Sequence, residues 1–149
     1  MRRFLKFLSY YKPYKHIFIA DLFCAFLASV VVLIYPMLVR GITTNALYME
    51  PSAAYDMILK TAAVFAFLLA VEYICNYFIS YIGHVGGAKM EYDMRNDLFN
   101  HYQKLSFSYY DNSRTGQLMS RITTDLFDIT ELSHHGPEDV LISVVKIVG

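Results

Sequence analysis

Tryptophan is missing from this chain, charge is scarce and cysteine nearly absent, and each shortage removes a class of protein. Charged residues make up 17% of the 149 positions, whereas a soluble globular domain carries about 25%. Hydrophobic residues reach 56%, so a single water-soluble domain does not suit the composition. The two cysteines, Cys24 and Cys75, both lie in apolar segments. Without metal-ligand spacing they make neither a disulfide framework nor a zinc module, and they read as small hydrophobes. The formal net charge is zero and no basic face accumulates, which argues against a nucleic-acid partner. No G-x-x-x-x-G-K-[ST] pattern occurs, so the chain has no phosphate-cradling loop and is not expected to be an enzyme by itself. Internal repeats, low-complexity tracts and flexible linkers are lacking too.

What is present is a set of long apolar runs joined by amphipathic ones. Residues 1–16 pair Phe4, Phe7, Leu8 and Tyr11 at helical spacing against Arg2, Arg3, Lys6 and Lys12. Such a basic amphipathic segment suits the headgroup region of a bilayer, and Pro13 should end it. It is not read as a signal peptide, because the apolar run that follows is too long and no small-residue cleavage site closes it. Residues 17–38 hold one charge, Asp21, and as a helix would extend about 33 Å, enough for a hydrocarbon core of about 30 Å. Asp21 lies about one turn from the end, where it is expected at the interface or beside Lys15. The polar stretch 40–56 should be the connection to a second, antiparallel span at 58–81.

Glu72 is the difficulty of that second span. Its eleven Leu, Ile, Phe and Val residues favour insertion by about 3–6 kcal/mol, against about 3 kcal/mol for a central acid. The segment can insert, but Glu72 should face other helices or a water-filled cavity. Glu72, Asn76, Ser80, Gly83 and Gly87 recur every three or four residues as a polar and small stripe, which makes Glu72, Asn76 and Ser80 the candidate cavity-facing residues. Beyond the membrane, Met90, Met94, Leu98, Tyr102 and Leu105 continue the helical pattern to residue 105. A turn at 106–116 follows. A return helix at 117–139 then carries Leu118, Ile122, Leu126, Ile129 and Leu132, with an interruption expected at His134-His135-Gly136-Pro137. A third apolar run begins at 140–149. Ten residues cannot cross a bilayer, so the chain is expected to be part of a longer protein.

Lysine and arginine flank the segments unevenly. Five stand in residues 1–16, one (Arg40) in the first connection and five in the hairpin (Lys89, Arg95, Lys104, Arg114, Arg121). The N-terminus and hairpin tip are therefore expected on the cytoplasmic side. No metal set is expected: adjacent histidines point to different faces of a helix, and no carboxylate or third histidine is placed by spacing to join His134 and His135. Glu91, Asp93, Asp97, Asp125, Asp128 and Glu131 could pair with Arg95, Lys104 and Arg121 across the hairpin. Arg121 and Asp125, at i and i+4, are the expected bracing pair. At the tip, Tyr109 and Tyr110 are exposed aromatics that call for a partner's groove, Asp111 can cap a short helix, and Thr115-Gly116 lets the chain turn back.

The tip also carries a resemblance. Tyr109-Tyr110-Asp111 followed by Thr115-Gly116-x-Leu118-x-Ser120-Arg121, with Asp125 and Ile129, is similar to the first intracellular loop of ATP-binding-cassette (ABC) exporters of the type I transmembrane fold. The family pattern there is FFD…TGxLxSRLxxD, preceded by LRxxLFxHLxxL. Arg95, Leu98, Phe99, His101 and Leu105 match the preceding segment, and residues 36–42 resemble the exit of the first span. Tyr-Tyr replaces Phe-Phe, Ser106 stands where proline is common, and Asn45 stands near a usual aspartate. The resemblance implies an all-α, polytopic membrane protein: part of a six-helix exporter domain, with residues 1–16 as elbow helix and 106–116 as the coupling loop. It further implies that Tyr109, Tyr110, Asp111, Asn112, Ser113, Arg114, Thr115, Gly116 and Gln117 touch a nucleotide-binding domain of the same or a partner chain. The intact protein would be a half-transporter in the plasma membrane, paired with a second half as homodimer or heterodimer. It would use ATP and Mg2+ to export a lipophilic, drug-like, lipid or peptide substrate. The competing expectation is a small membrane anchor or signalling hairpin, complete as it stands, that recruits a cytoplasmic partner.

Overall fold

The computed structural model describes residues 2–149 except 112 and 113, and gives no side-chain placement for residues 2–5 or 47. Among the described residues every regular element is helical. Helix α1 (Arg2–Ser9) is followed by successive tight turns, in which Tyr10 N donates to Phe7 O and Tyr14 N to Tyr11 O. It therefore ends four residues before Pro13. Helix α2 (Lys15–Asn45) runs about two turns past the expected end of the first span. Its last turn is held by side chains that bond back along the helix, Thr44 Oγ1 to Arg40 O at 2.7 Å and Asn45 Nδ2 to Gly41 O at 2.9 Å. The expected polar connection 40–56 is thus mostly helix, and the true link is a single 3-10 turn, Ala46–Tyr48, with Met49 and Glu50.

Helix α3 (Pro51–Phe78) begins with proline in its first turn, where the missing N–H costs nothing. It passes through a π-helical turn, Ile79–Gly83, into α4 (His84–Tyr102). Together these make one rod of 52 residues, about 78 Å long. This rod and α2 are long and apolar enough to cross a membrane, with mean hydropathy 1.9 and 2.8 in their most apolar windows. The tip holds two short helices, α5 (Phe107–Asp111) and α6 (Thr115–Ser120). A second π turn, Arg121–Asp125, leads into α7 (Leu126–Val148).

Helix α7 corrects the expectation of a break at residues 134–137, because it runs straight through them. Proline inside a helix strands the carbonyl four residues earlier. Here that carbonyl belongs to Ser133, and the Tyr11 hydroxyl donates to it at 2.8 Å. The stranded acceptor is satisfied from outside the helix, so the helix continues.

Side-chain size explains where the helices meet. The buried face of α2 is Asp21, Ala25, Ala28, Ser29 and Val31, mostly small residues that permit close approach. On the opposing rod, Gly83, Gly86 and Gly87 are buried. A Cβ on Gly86 would stand 2.9 Å from Ile17 Cγ2, and one on Gly83 would collide with the Asp21 carboxylate. Met90 seals the hairpin below them with no exposed surface. Along the return arm the buried residues are Leu118, Ile122, Leu126, Thr130, His134 and Glu138, with Ser133 beside this row. Ile129 and Leu132 of the expected stripe are exposed instead. A row of every fourth residue is a helix ridge inclined to the axis, and it faces a neighbour that crosses at an angle.

Gly86→Ala should therefore overpack the α2–α4 contact and cost about 1–3 kcal/mol. Gly41→Ala, in open space within α2, should raise stability by up to about 1 kcal/mol. Thermal unfolding of the intact membrane-embedded protein checks the order, Gly86→Ala below wild type and Gly41→Ala at or above it. The reverse order would contradict the packing described.

Candidate functional site

Three tyrosines fasten the N-terminal segment to the hairpin. Tyr10 donates to Asp97 Oδ2 at 2.6 Å, Tyr14 to Asp93 Oδ2 at 2.7 Å, and Tyr11 to the Ser133 carbonyl. Burial together with Asp97 pushes the Tyr10 hydroxyl up to about 12, and Asp93 raises that of Tyr14. Both remain donors at neutral pH. Asp93 and Asp97 are thus engaged by tyrosines, not by cross-hairpin cations as expected. Arg95 forms an ion pair with Glu91 one turn back along α4, while its Nε donates to the Ile122 carbonyl at 3.3 Å. That carbonyl lies within the second π turn.

The expected brace of Arg121 with Asp125 is corrected. Among the described residues no ion pair joins them; both are exposed and both lie in that π turn. Exposed charges at this spacing are well solvated and gain little by pairing. Arg95 bridges the two arms in their place. Its signal in the sequence was only a position facing the return helix, since a backbone carbonyl leaves no trace in residue type.

At the tip, Tyr109 and Tyr110 are half-buried, with rings edge to face at 5.7 Å. The Tyr110 hydroxyl donates to the carbonyl of Tyr102 at 2.5 Å. This carbonyl belongs to the last turn of α4 and also accepts from the backbone N–H of Leu105 at 3.0 Å. Tyr110 therefore ties the tip to its own stem, and the exposed aromatic at the end is Phe107, at 90%. Asp111, Arg114, Thr115, Gly116 and Gln117 are exposed, while Asn112 and Ser113 lie outside the described residues. Asp111 ends α5, and α6 begins after Arg114 without a side-chain cap, contrary to the expected capping role.

Within the span, Glu72 accepts a hydrogen bond from Tyr35 at 2.5 Å, joining α2 to α3. Glu72 and Asn76 border a cleft of about 180 Å³ that also receives Ser29, Glu138, Ile142 and Lys146. Ser80 does not join them. The π turn at Ile79–Gly83 shifts the register, and Ser80 faces outward. Asp21 is buried between helices and is not paired with the exposed Lys15. It is 2% exposed and faces His134, with Oδ2 3.8 Å from Nδ1. His134 and His135 have joined His84, Asp21 and Glu138, so the expectation that no third histidine or carboxylate attends them is overturned. Three helices remote in sequence supply this cluster, which spacing within one helix cannot reveal.

Two helices long and apolar enough to cross a membrane, one prolonged as a hairpin with an exposed tip, are the architecture of a helical membrane protein. Residues 18–149 match the family model of the ABC transporter transmembrane region, and the chain belongs to that family. It is 43% identical over 148 residues to the uncharacterized ABC transporter ATP-binding protein YwjA of Bacillus subtilis, covering 97% of this chain and 24% of that protein. It is 32% identical over 126 residues to YknU of the same organism, covering 85% and 21%. Against the ATP-dependent lipid A-core flippase of Idiomarina loihiensis it is 31% identical over 130 residues, covering 87% and 22%. The chain spans about a quarter of the length of these relatives. The family and the two apolar helices place it in a membrane.

Tyr110→Phe should leave the family fold intact but remove the side-chain donor to the Tyr102 carbonyl, which keeps its bond from Leu105 N, at a cost of about 1 kcal/mol. Limited proteolysis of the intact protein should then cut faster between residues 102 and 117. An unchanged cleavage rate would remove Tyr110 from the stem.

Proposed function

We propose that this chain is the first part of an exporter half-subunit's membrane domain, and that its hairpin tip docks in a groove on an ATP-binding domain. The observation that carries the reading is the tip itself. Phe107 is almost fully exposed at the end of a hairpin whose arms are braced by Tyr110, Arg95 and Met90. An exposed aromatic on a rigid support is a docking anchor in search of a pocket. The names of the relatives support the same reading, since they are ATP-binding or ATP-dependent proteins of which the chain covers about a quarter.

Phe107 and Tyr109, with Asp111, Arg114, Thr115, Gly116 and Gln117, form the docking surface, and Asn112 and Ser113 belong to the same turn by position. Movement of the ATP-binding domain is transmitted through the hairpin to α2 and the α3–α4 rod. ATP and Mg2+ act on that domain, and a second half-subunit completes the cavity. The N-terminus and tip face the cytoplasm. Glu72 and Asn76, on the cleft between α2, α3 and α7, are the residues of this chain placed to meet a substrate. The mixed acid, amide and aliphatic lining suits an amphipathic lipid or drug-like molecule. The chemistry of ATP cleavage lies outside this chain, whose part is positioning and force transmission.

Replacing Phe107 in the intact protein with a photoreactive phenylalanine should give covalent adducts with its ATP-binding domain, while the same group at Tyr55 should not. Phe107→Ala should lower ATP hydrolysis in membranes about tenfold, the factor that a contact worth about 1.4 kcal/mol supplies. Adducts confined to lipid, with hydrolysis unchanged, would rule out docking at the tip.

A further inference from the structure

Where α2, α4 and α7 meet, five side chains with metal-binding chemistry converge. Asp21, His134 and Glu138 are 2%, 4% and 7% exposed, and each offers a ligand atom within 4.8 Å of the others. His84, His134 and His135 satisfy the same condition. Buried polar groups are ordinarily hydrogen-bonded. Yet Asp21 Oδ1, both ring nitrogens of His134 and Glu138 Oε2 have no hydrogen-bond partner.

The spacing resolves the contradiction. His134 Nδ1 stands 3.8 Å from Asp21 Oδ2, and His135 Nδ1 stands 3.5 Å from Glu138 Oε2. Both exceed the usual N–H···O range. Two ligands of a tetrahedral ion, each bonded at about 2.0–2.2 Å, lie about 3.3–3.6 Å apart. The His135–Glu138 separation falls in that range, and the Asp21–His134 separation exceeds it by only a few tenths of an ångström, which small side-chain shifts around a shared cation would close. Two buried carboxyl groups facing two imidazoles are the mixed oxygen and nitrogen donor set of a transition-metal site.

We propose that Asp21, His134, Glu138 and His135 bind one divalent transition-metal ion of the zinc class. Mixed imidazole and carboxylate donors select such an ion over magnesium or calcium, which favour oxygen alone. His135 is suited to the fourth position because its other nitrogen, Nε2, lies 3.4 Å from Glu131 Oε2. That arrangement matches the carboxylate partner that orients a metal-bound histidine. Gly83 makes room for the site, since any Cβ there would strike Asp21 and approach His134 Cε1 at 2.9 Å. His84, its ring 5.2 Å from that of His134, covers the site from α4. The ion clasps the first membrane helix to the return arm of the hairpin. This assignment does not depend on docking at the tip.

The test uses the intact protein, purified without a histidine tag, stripped with a chelator and returned to lipid. Cobalt(II) titration should give the visible ligand-field bands of a tetrahedral site at one ion per chain, and zinc should displace them. Asp21→Asn, Glu138→Gln and His135→Ala should each weaken binding at least about tenfold, as losing even a supporting group of a metal site does. Asp56→Asn, on the exposed start of α3, should change nothing. Absence of the bands in wild-type protein overturns the proposal whether or not the variants fold. Bands that persist unaltered in the folded variants also overturn it, because the ion would then sit elsewhere.

Discussion

The close crossing of α2 with the α3–α4 rod and α7, at Asp21, Gly83 and His134, is the constraint on which the other features depend. At this point the side chains of Asp21 and His134 lie so close against Gly83 that it has no room for a side chain. The contact residues are small or polar, not large and apolar. In a bilayer this is a physically sensible way to join helices, because lipid competes fully with apolar side chains and only close packing and polar contacts distinguish helix from lipid. The large apolar residues are turned outward instead, with Phe23, Phe67 and Tyr73 well over half exposed. They are available to lipid and to further helices.

From that crossing the hairpin projects as an extension of the spans. Tyr10, Tyr11 and Tyr14 grip both arms near its root, and Tyr11 compensates the carbonyl that Pro137 strands. Met90, Leu118, Ile122 and Leu126 fill the space between the arms. Arg95 then reaches a carbonyl of the second π turn, and Tyr110 closes the far end. Among the described residues these contacts join the tip stepwise to the arms and the arms to α2. This gives physical content to membership of the ABC transporter transmembrane family, in which the chain is placed by residues 18–149.

Much of this was legible in the residues. Unbroken apolar runs announced the spans, the Met90–Leu105 stripe announced the descending arm, and the Thr115–Arg121 motif carried the family. What escaped left no mark in residue type. The π turn at Ile79–Gly83 shifts the register, so Ser80 was placed on the wrong face, and the exposed Arg121 and Asp125 form no ion pair with each other among the described residues. Apolar periodicity pointed to Ile129 and Leu132 as the buried continuation of the return arm. The buried ridge in fact turns polar there, through Thr130, His134 and Glu138, because it meets another polar ridge and not an apolar one. Tyr110 looked like a surface aromatic because its partner is a backbone carbonyl. Proline suggested a break at residue 137 because the compensating hydroxyl comes from 126 positions earlier in the chain.

The central claim is that the crossing pins the hairpin into one rigid piece with the first span, and backbone hydrogen exchange on the intact protein in lipid tests it most directly. Amides of residues 86–94 and 126–138, around the tyrosine clamp and His134, should exchange at least about 100-fold more slowly than those of residues 103–117, a difference of about 2.7 kcal/mol in opening free energy. Protection should fall steadily with distance from the crossing. Uniformly fast exchange along both arms, equal to that of the tip, would mean that the hairpin frays independently of the spans and would contradict the account.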